Sequence, residues 1–153
     1  MSLKDRLLQD MKAAMKEREA GKTRLAVIRM VRSAIKNREI ELGRELADPE
    51  VLEVLTREVK IRRESLPDYE RSGREELVAQ LKEEIAVLMA YLPEQLSEAE
   101  IEALVREAIA QTAASGPRDL GKVMKEVMPK TKGRAEGKVV NQIVRRLLEE
   151  LQA

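Results

Sequence analysis

The chain contains no cysteine, histidine, phenylalanine or tryptophan. Without cysteine there is no disulfide framework and no thiolate nucleophile. Without histidine there is no Ser-His-Asp or Cys-His arrangement, few of the usual zinc ligands, and no side chain whose ordinary titration falls near neutrality. The only aromatics are Tyr69 and Tyr91, so the stacking platforms that read single-stranded or flipped bases are missing. Long apolar runs are missing too. The longest, Ile85 to Leu92, is far too short to span a bilayer, and no charged-then-apolar leader opens the sequence, which makes a soluble cytoplasmic protein the expectation.

What remains is helix-forming. Charged residues make up 37% of the 153 positions and hydrophobic ones 43%, so any core is aliphatic, built from Leu, Ile, Val, Ala and Met. This length suits one ordinary domain or two small helical ones. The net charge of +1 conceals a segregation: residues 1–38 carry eleven Lys/Arg against four Asp/Glu, residues 39–117 nine against nineteen, and residues 118–153 nine against five. Basic ends flank an acidic middle. Either the ends fold against the middle, or a basic end faces a polyanion.

Apolar spacing predicts helices throughout and strands nowhere. Leu3, Leu7, Leu8, Met11 and Met15 form a stripe behind Ser2, a candidate N-cap, to about Glu19. A second helix follows Thr23, another candidate cap, with a stripe of Leu25, Ile28, Val31, Ile35 and Leu42 and an end at Gly43. Asp48-Pro49-Glu50 signals a third start, with Asp48 as cap, and Pro67 is expected to kink or stop that helix. Leu77, Leu81, Ile85, Leu88 and Leu92 mark a fourth. Pro93 to Leu96 reads as a hinge because Ser97 and Glu100 restart a helix with a capping box. Beyond it come a fifth helix to about Gly116, a sixth from Pro117 to Pro129 and a seventh whose stripe is Val140, Ile143, Val144, Leu147 and Leu151. The expectation is an all-α protein, with an N-terminal bundle of about four helices over residues 1–93 and a three-helix C-terminal domain over 97–153.

Gly116 to Lys122, GPRDLGK, fits the first seven places of the phosphate-binding P-loop. The eighth is Val123 where Mg²⁺ needs a Ser or Thr hydroxyl, and an Ala-rich helix rather than a strand leads in, so the match reads as coincidence. Glu75/Glu76 and Glu83/Glu84 are adjacent pairs, and neighbours on a helix point about 100° apart, so they read as solvated faces. No catalytic, metal or cofactor site is expected.

The basic C-terminal stretch carries more. Arg118, Lys122 and Lys125 are spaced i, i+4 and i+7 on the face opposite Leu120, Met124 and Val127. Lys138, Asn141 and Arg145 share the outer face of the seventh helix, and the intervening loop adds Lys130, Lys132 and Arg134. Gly121 inside a helix suggests a close approach by another backbone or a ligand, and Gly133 and Gly137 free the backbone near a helix start, where anions are favoured. Such a surface suits phosphates, and equally a solvated face.

The stretches YLPEQLSEAEIEALV from Tyr91 and DLGKVMKEVMPKTKGRAEGKVVNQIVRRLL from Asp119 resemble the YqeY family, as do DMKAAMKERE, LAVIRMVRSAIKNREIE and RRES upstream. A domain of this family also forms the tail of the B subunit of the tRNA-dependent Asp/Glu amidotransferase. The resemblance implies an all-helical two-domain fold and, by way of that tail, recognition of tRNA. It implies no catalysis here, since the kinase-like and glutaminase parts of the amidotransferase have no counterpart in this sequence. One departure is Glu136, where the family commonly has Asp, a better N-cap. The resulting expectation is a non-catalytic accessory protein that binds tRNA or another structured RNA by shape and charge, without reading DNA sequence. The alternative is an adaptor that docks on an aminoacyl-tRNA or amidotransferase enzyme, and any carbon–nitrogen ligase activity would be inherited from the larger enzyme in name only.

Overall fold

A computed structural model describes residues 1–152, and among them there are seven α-helices, two short 3-10 turns and no strand. The all-α expectation holds. The chain falls into two compact units, Met1–Leu92 and Pro93–Ala153. The first contains α1 (Leu3–Lys16), a 3-10 turn (Arg18–Gly21), α2 (Lys22–Leu42), α3 (Asp48–Arg71) and α4 (Glu75–Met89). The second contains α5 (Glu98–Thr112), a 3-10 turn (Pro117–Asp119), α6 (Leu120–Thr131) and α7 (Gly137–Glu150).

In the first unit, buried Leu7, Val27, Ile28, Val31, Ile35, Val51, Leu55, Val59 and Leu88 form one aliphatic cluster closed by Tyr91. The chain turns from α1 into α2 at Gly21, where a Cβ would stand 2.3 Å from the Ala14 carbonyl oxygen, so only glycine fits this close return. Gly43 ends α2 in the left-handed conformation, φ 69°. The cluster is framed by two polar locks. Arg62 is buried and donates from Nε to Glu84 and from Nη1 to Glu58, both at 2.8 Å, tying α3 to α4. The Tyr91 hydroxyl donates to the Asp10 carboxylate, and the Arg6 guanidinium lies over the Tyr91 ring, 4.5 Å from its centre, while donating to the Ala90 carbonyl at 2.9 Å. Burial, reinforced by the hydrogen bond to Asp10, pushes the Tyr91 phenol well above its ordinary value.

Several sequence expectations are corrected. Ser2 does cap α1, accepting from the Asp5 N–H at 3.1 Å, but α1 ends at Lys16 and the 3-10 turn takes up the rest. Thr23 caps nothing. Helix α2 already starts at Lys22, and its N-cap is Gly21. Asp48 is inside α3, and its carboxylate reaches across to accept the Leu3 N–H at 3.0 Å, so it serves the start of α1 instead. The orphan N–H of Ala47, the true N-cap, goes to Glu50 at 3.1 Å. Pro67 and Pro129 stop neither α3 nor α6, because each sits on an exposed side where the carbonyl deprived of its helical N–H faces solvent. The stripes run short at their ends: Leu42, Leu77 and Leu151 are exposed, while Val27 and Leu148 join the buried set.

Two measurements check these locks. Arg44 holds Glu50 with two bonds of 2.8 Å, and this fork, with the Ala47 N–H, pulls the Glu50 carboxyl down to about 2. A carboxyl depressed on folding stabilises above its unfolded titration and stops doing so as pH falls through the folded one. The stability gap between wild type and Glu50→Gln should therefore be open at about pH 6 and close toward pH 2 in urea titrations. Arg62→Ala leaves two largely buried carboxylates without their cation and should cost roughly 2–4 kcal/mol in the same assay.

Candidate nucleic-acid interface

The second unit is built on an aliphatic seam. Ile101, Val105 and Ala108 from α5, Val123 and Val127 from α6, and Val140, Ile143, Val144, Leu147 and Leu148 from α7 are buried together. Helix α5 opens with the expected capping box: Ser97 Oγ accepts the Glu100 N–H at 3.1 Å, and Glu100 accepts the Ser97 N–H at 3.2 Å. These bonds from Ser97 hold the Glu100 carboxyl below its usual range. At the other end Ala113, not a glycine, takes the left-handed position, φ 54°.

The stretch expected to act as a hinge is tied down on its C-terminal side. Leu96 N–H donates to the Arg134 carbonyl at 2.8 Å, Gln95 Nε2 to the Gly133 carbonyl at 2.9 Å, and Arg134 Nε to the Glu94 carbonyl at 3.3 Å. Residues 94–96 therefore belong to the turn after α6. That turn is itself anchored by buried Thr131, whose carbonyl accepts from the Arg134 N–H at 2.8 Å, with Gly133 at φ 74°.

Burying the seam turns the charges outward. Counted over residues 93–153, ten Lys/Arg meet ten Asp/Glu, so the unit as a whole is neutral and the basic charge is a matter of distribution. From residue 118 to 145 there are eight cations and three anions. Lys122, Lys125 and Lys130 are exposed on α6, Lys132 at its C-cap, and Lys138 and Arg145 on α7. Arg118 is exposed but stands in the 3-10 turn before α6 rather than in the helix. Arg134 is only half-buried and spends its side chain on the Glu94 carbonyl, so it is a tie as well as a charge.

Asn141 differs from its expected role as a contact. It is half-buried and its Oδ1 accepts from Arg145 Nε at 2.7 Å, which fixes the guanidinium and leaves both terminal nitrogens pointing away from the helix. Arg146, one residue on, reaches Glu102 of α5 at 3.1 Å. Since successive residues are about 100° apart, Arg145 lies on the flank of α7 away from that ion pair.

The P-loop look-alike resolves into something else. Gly116 is extended, φ 178°, and the Gln152 side chain lies against it, where a Cβ would sit 2.3 Å from Nε2. Asp119 folds back to accept the Ser115 N–H at 2.8 Å, which holds its carboxyl below the usual range, and it draws Lys122 to 3.7 Å. Helix α5 leads into this turn where a P-loop needs a strand. Gly121 meets no protein atom within 4 Å of an added Cβ, so no neighbouring backbone explains it. Of the acidic pairs, Glu84 is engaged by Arg62 and Gln80.

The profile of the Yqey-like protein family matches residues 4–148, spanning both units. The chain belongs to that family. A fungal relative, "Altered inheritance of mitochondria protein 41, mitochondrial" from Pyrenophora tritici-repentis, is 31% identical over 132 residues, which cover 85% of this chain and 71% of the relative. Both basic segments of this Yqey-like chain fall inside the matched region, as does the turn that binds residues 94–96. Among the described residues no helix is long and apolar enough to cross a membrane. The relative's name places that protein in mitochondria, whereas composition alone suggested the cytoplasm.

The P-loop reading is checked by adding ATP with Mg²⁺ at millimolar concentration to the whole chain. The melting temperature should stay where it is, since binding of about 100 times Kd would add roughly 2.7 kcal/mol and several degrees.

Proposed function

We propose that this Yqey-like chain is a non-catalytic accessory protein of the cytoplasm that binds tRNA or another structured RNA through its phosphate backbone, using the outer surface of α6, the following turn and α7. The observation that carries this reading is the run of exposed cations from Lys122 to Arg145, of which Lys125, Lys130, Lys138 and Arg145 have no carboxylate in ion-pair reach among the described residues. Cations that a fold leaves unpaired cost it nothing to offer to a polyanion, and each phosphate they neutralise releases bound counterions.

The chemistry narrows the kind of recognition. With two tyrosines in the chain and neither in α6 or α7, there is no ring on which to stack a base, so contact is with phosphate and ribose and reads helix shape. The Arg145 fork, steadied by Asn141, suits two oxygens of one phosphate, whereas the lysines act as point charges. DNA sequence readout would need side chains on base edges in a major groove, and a scattered set of lysines does not supply it.

Reversing Lys125, Lys138 and Arg145 to Glu tests the reading. All three are exposed, so helical content and melting temperature should change little, about 0.5 kcal/mol or less per site. Affinity for tRNA, measured by filter binding, should fall at least about tenfold, because each site swaps an attraction for a repulsion. Unchanged affinity in a folded variant would remove this surface from the account and favour an adaptor that binds a protein.

A further inference from the structure

The first unit carries a second set of cations that the RNA reading does not use. Three contacts fix the antiparallel register of α1 against α2: Lys4 Nζ to Glu39 at 2.6 Å, Arg32 Nη1 to Met11 Sδ at 3.1 Å, and Arg24 Nη1 to Glu17 at 3.3 Å. In this register Arg29 stands level with Met15 and Lys36 with Leu8. Stepping by helical turns places Leu8, Met11, Lys12 and Met15 on the flank of α1 that carries Lys4, and Arg29, Arg32 and Lys36 on the flank of α2 that carries Glu39. The two flanks border one cleft of about 300 Å³, lined near its Lys4 end by Leu8, Arg32, Lys36, Glu39 and Glu45.

Two properties of this cleft matter together. Lys12, Arg29 and Lys36 are exposed with no carboxylate in ion-pair reach among the described residues, and Arg32 has only the Met11 sulfur. Between these cations the wall is apolar: Leu8 and Met11 are half-buried, and Met15 is 49% exposed. A phosphate strand makes no use of thioethers and leucine, and following the cleft to its Lys4 end it would meet Glu39 and Glu45. A helix with one apolar face and acidic flanks matches both features, and unbranched methionine side chains adapt to the residues such a face brings.

We infer that the α1–α2 cleft is a docking site for an acidic amphipathic helix of a partner protein, with Leu8, Met11 and Met15 taking its apolar face and Lys12, Arg29, Arg32 and Lys36 its carboxylates. This site is separate from the α6–α7 surface and does not depend on RNA binding there.

The probe is a labelled synthetic helix with leucines at i, i+3, i+4 and i+7 flanked by glutamates, beside a scrambled peptide of identical composition. Fluorescence anisotropy with the full chain should show saturable binding of the first and at least about tenfold weaker binding of the scrambled one, since charge alone is insensitive to order. Arg29→Glu with Lys36→Glu should weaken the helix about tenfold or more, and Met15→Ser several-fold, while Lys125→Glu with Lys138→Glu leaves it unchanged. Should the reversal disturb folding by circular dichroism, the neutral pair Arg29→Gln and Lys36→Gln takes its place. Equal binding of both peptides, indifference to these substitutions, or loss of tRNA affinity with peptide affinity intact would each overturn the proposal, the last by making the cleft an RNA surface.

Discussion

Burial of an unbroken aliphatic seam governs the second unit. Val123, Val127, Val140, Val144 and Leu148 are fully enclosed, and with no phenylalanine or tryptophan to fill space, α6 and α7 must turn their whole apolar stripes inward. Filling a close-packed interior with valine leaves little tolerance for rotation, because turning a helix by one residue, about 100°, would bury a lysine. The position of Lys122, Lys125, Lys138 and Arg145 on the outside follows from that constraint. Their charge is a consequence of packing first and a candidate function second.

The turn after α6 converts this packing into a defined surface. Thr131 is buried and its hydroxyl bonds the Val127 carbonyl at 3.2 Å, Gly133 adopts a conformation other residues avoid, and residues 94–96 are fastened to the same turn. Lys130 and Lys132 thus flank a fixed point of the backbone, not a slack loop. Preorganised cations lose less freedom when they meet an anion, which is the physical advantage of anchoring the turn from two sides.

Much of this was legible in the sequence, and the misses share a cause. Helical periodicity identified all seven helices, and the Ser97–Glu100 box and Gly43 terminus came from local chemistry that needs no partner. Asp48 and Thr23 misled because a capping side chain is read locally, whereas Asp48 serves a helix 45 positions away in sequence. Pro67 and Pro129 misled because a proline's cost depends on whether its lost hydrogen bond faces water. At the candidate site, the outward residues could be read from spacing, but the Asn141–Arg145 bond, the Arg134 tie and Gln152 against Gly116 are tertiary or rotameric facts that no pattern encodes. The unpaired cations of α1 and α2 escaped for a related reason: their charge was visible in the sequence, while their lack of acidic neighbours depends on packing.

The central claim, that the α6–α7 surface serves a polyanion, is tested most directly by the salt dependence of tRNA binding to the unaltered chain. If about four phosphates are neutralised, log affinity should fall against log salt concentration with a slope of roughly −3 to −4. A slope near zero, or no binding at low salt, would contradict the account and leave the basic surface a solvated face.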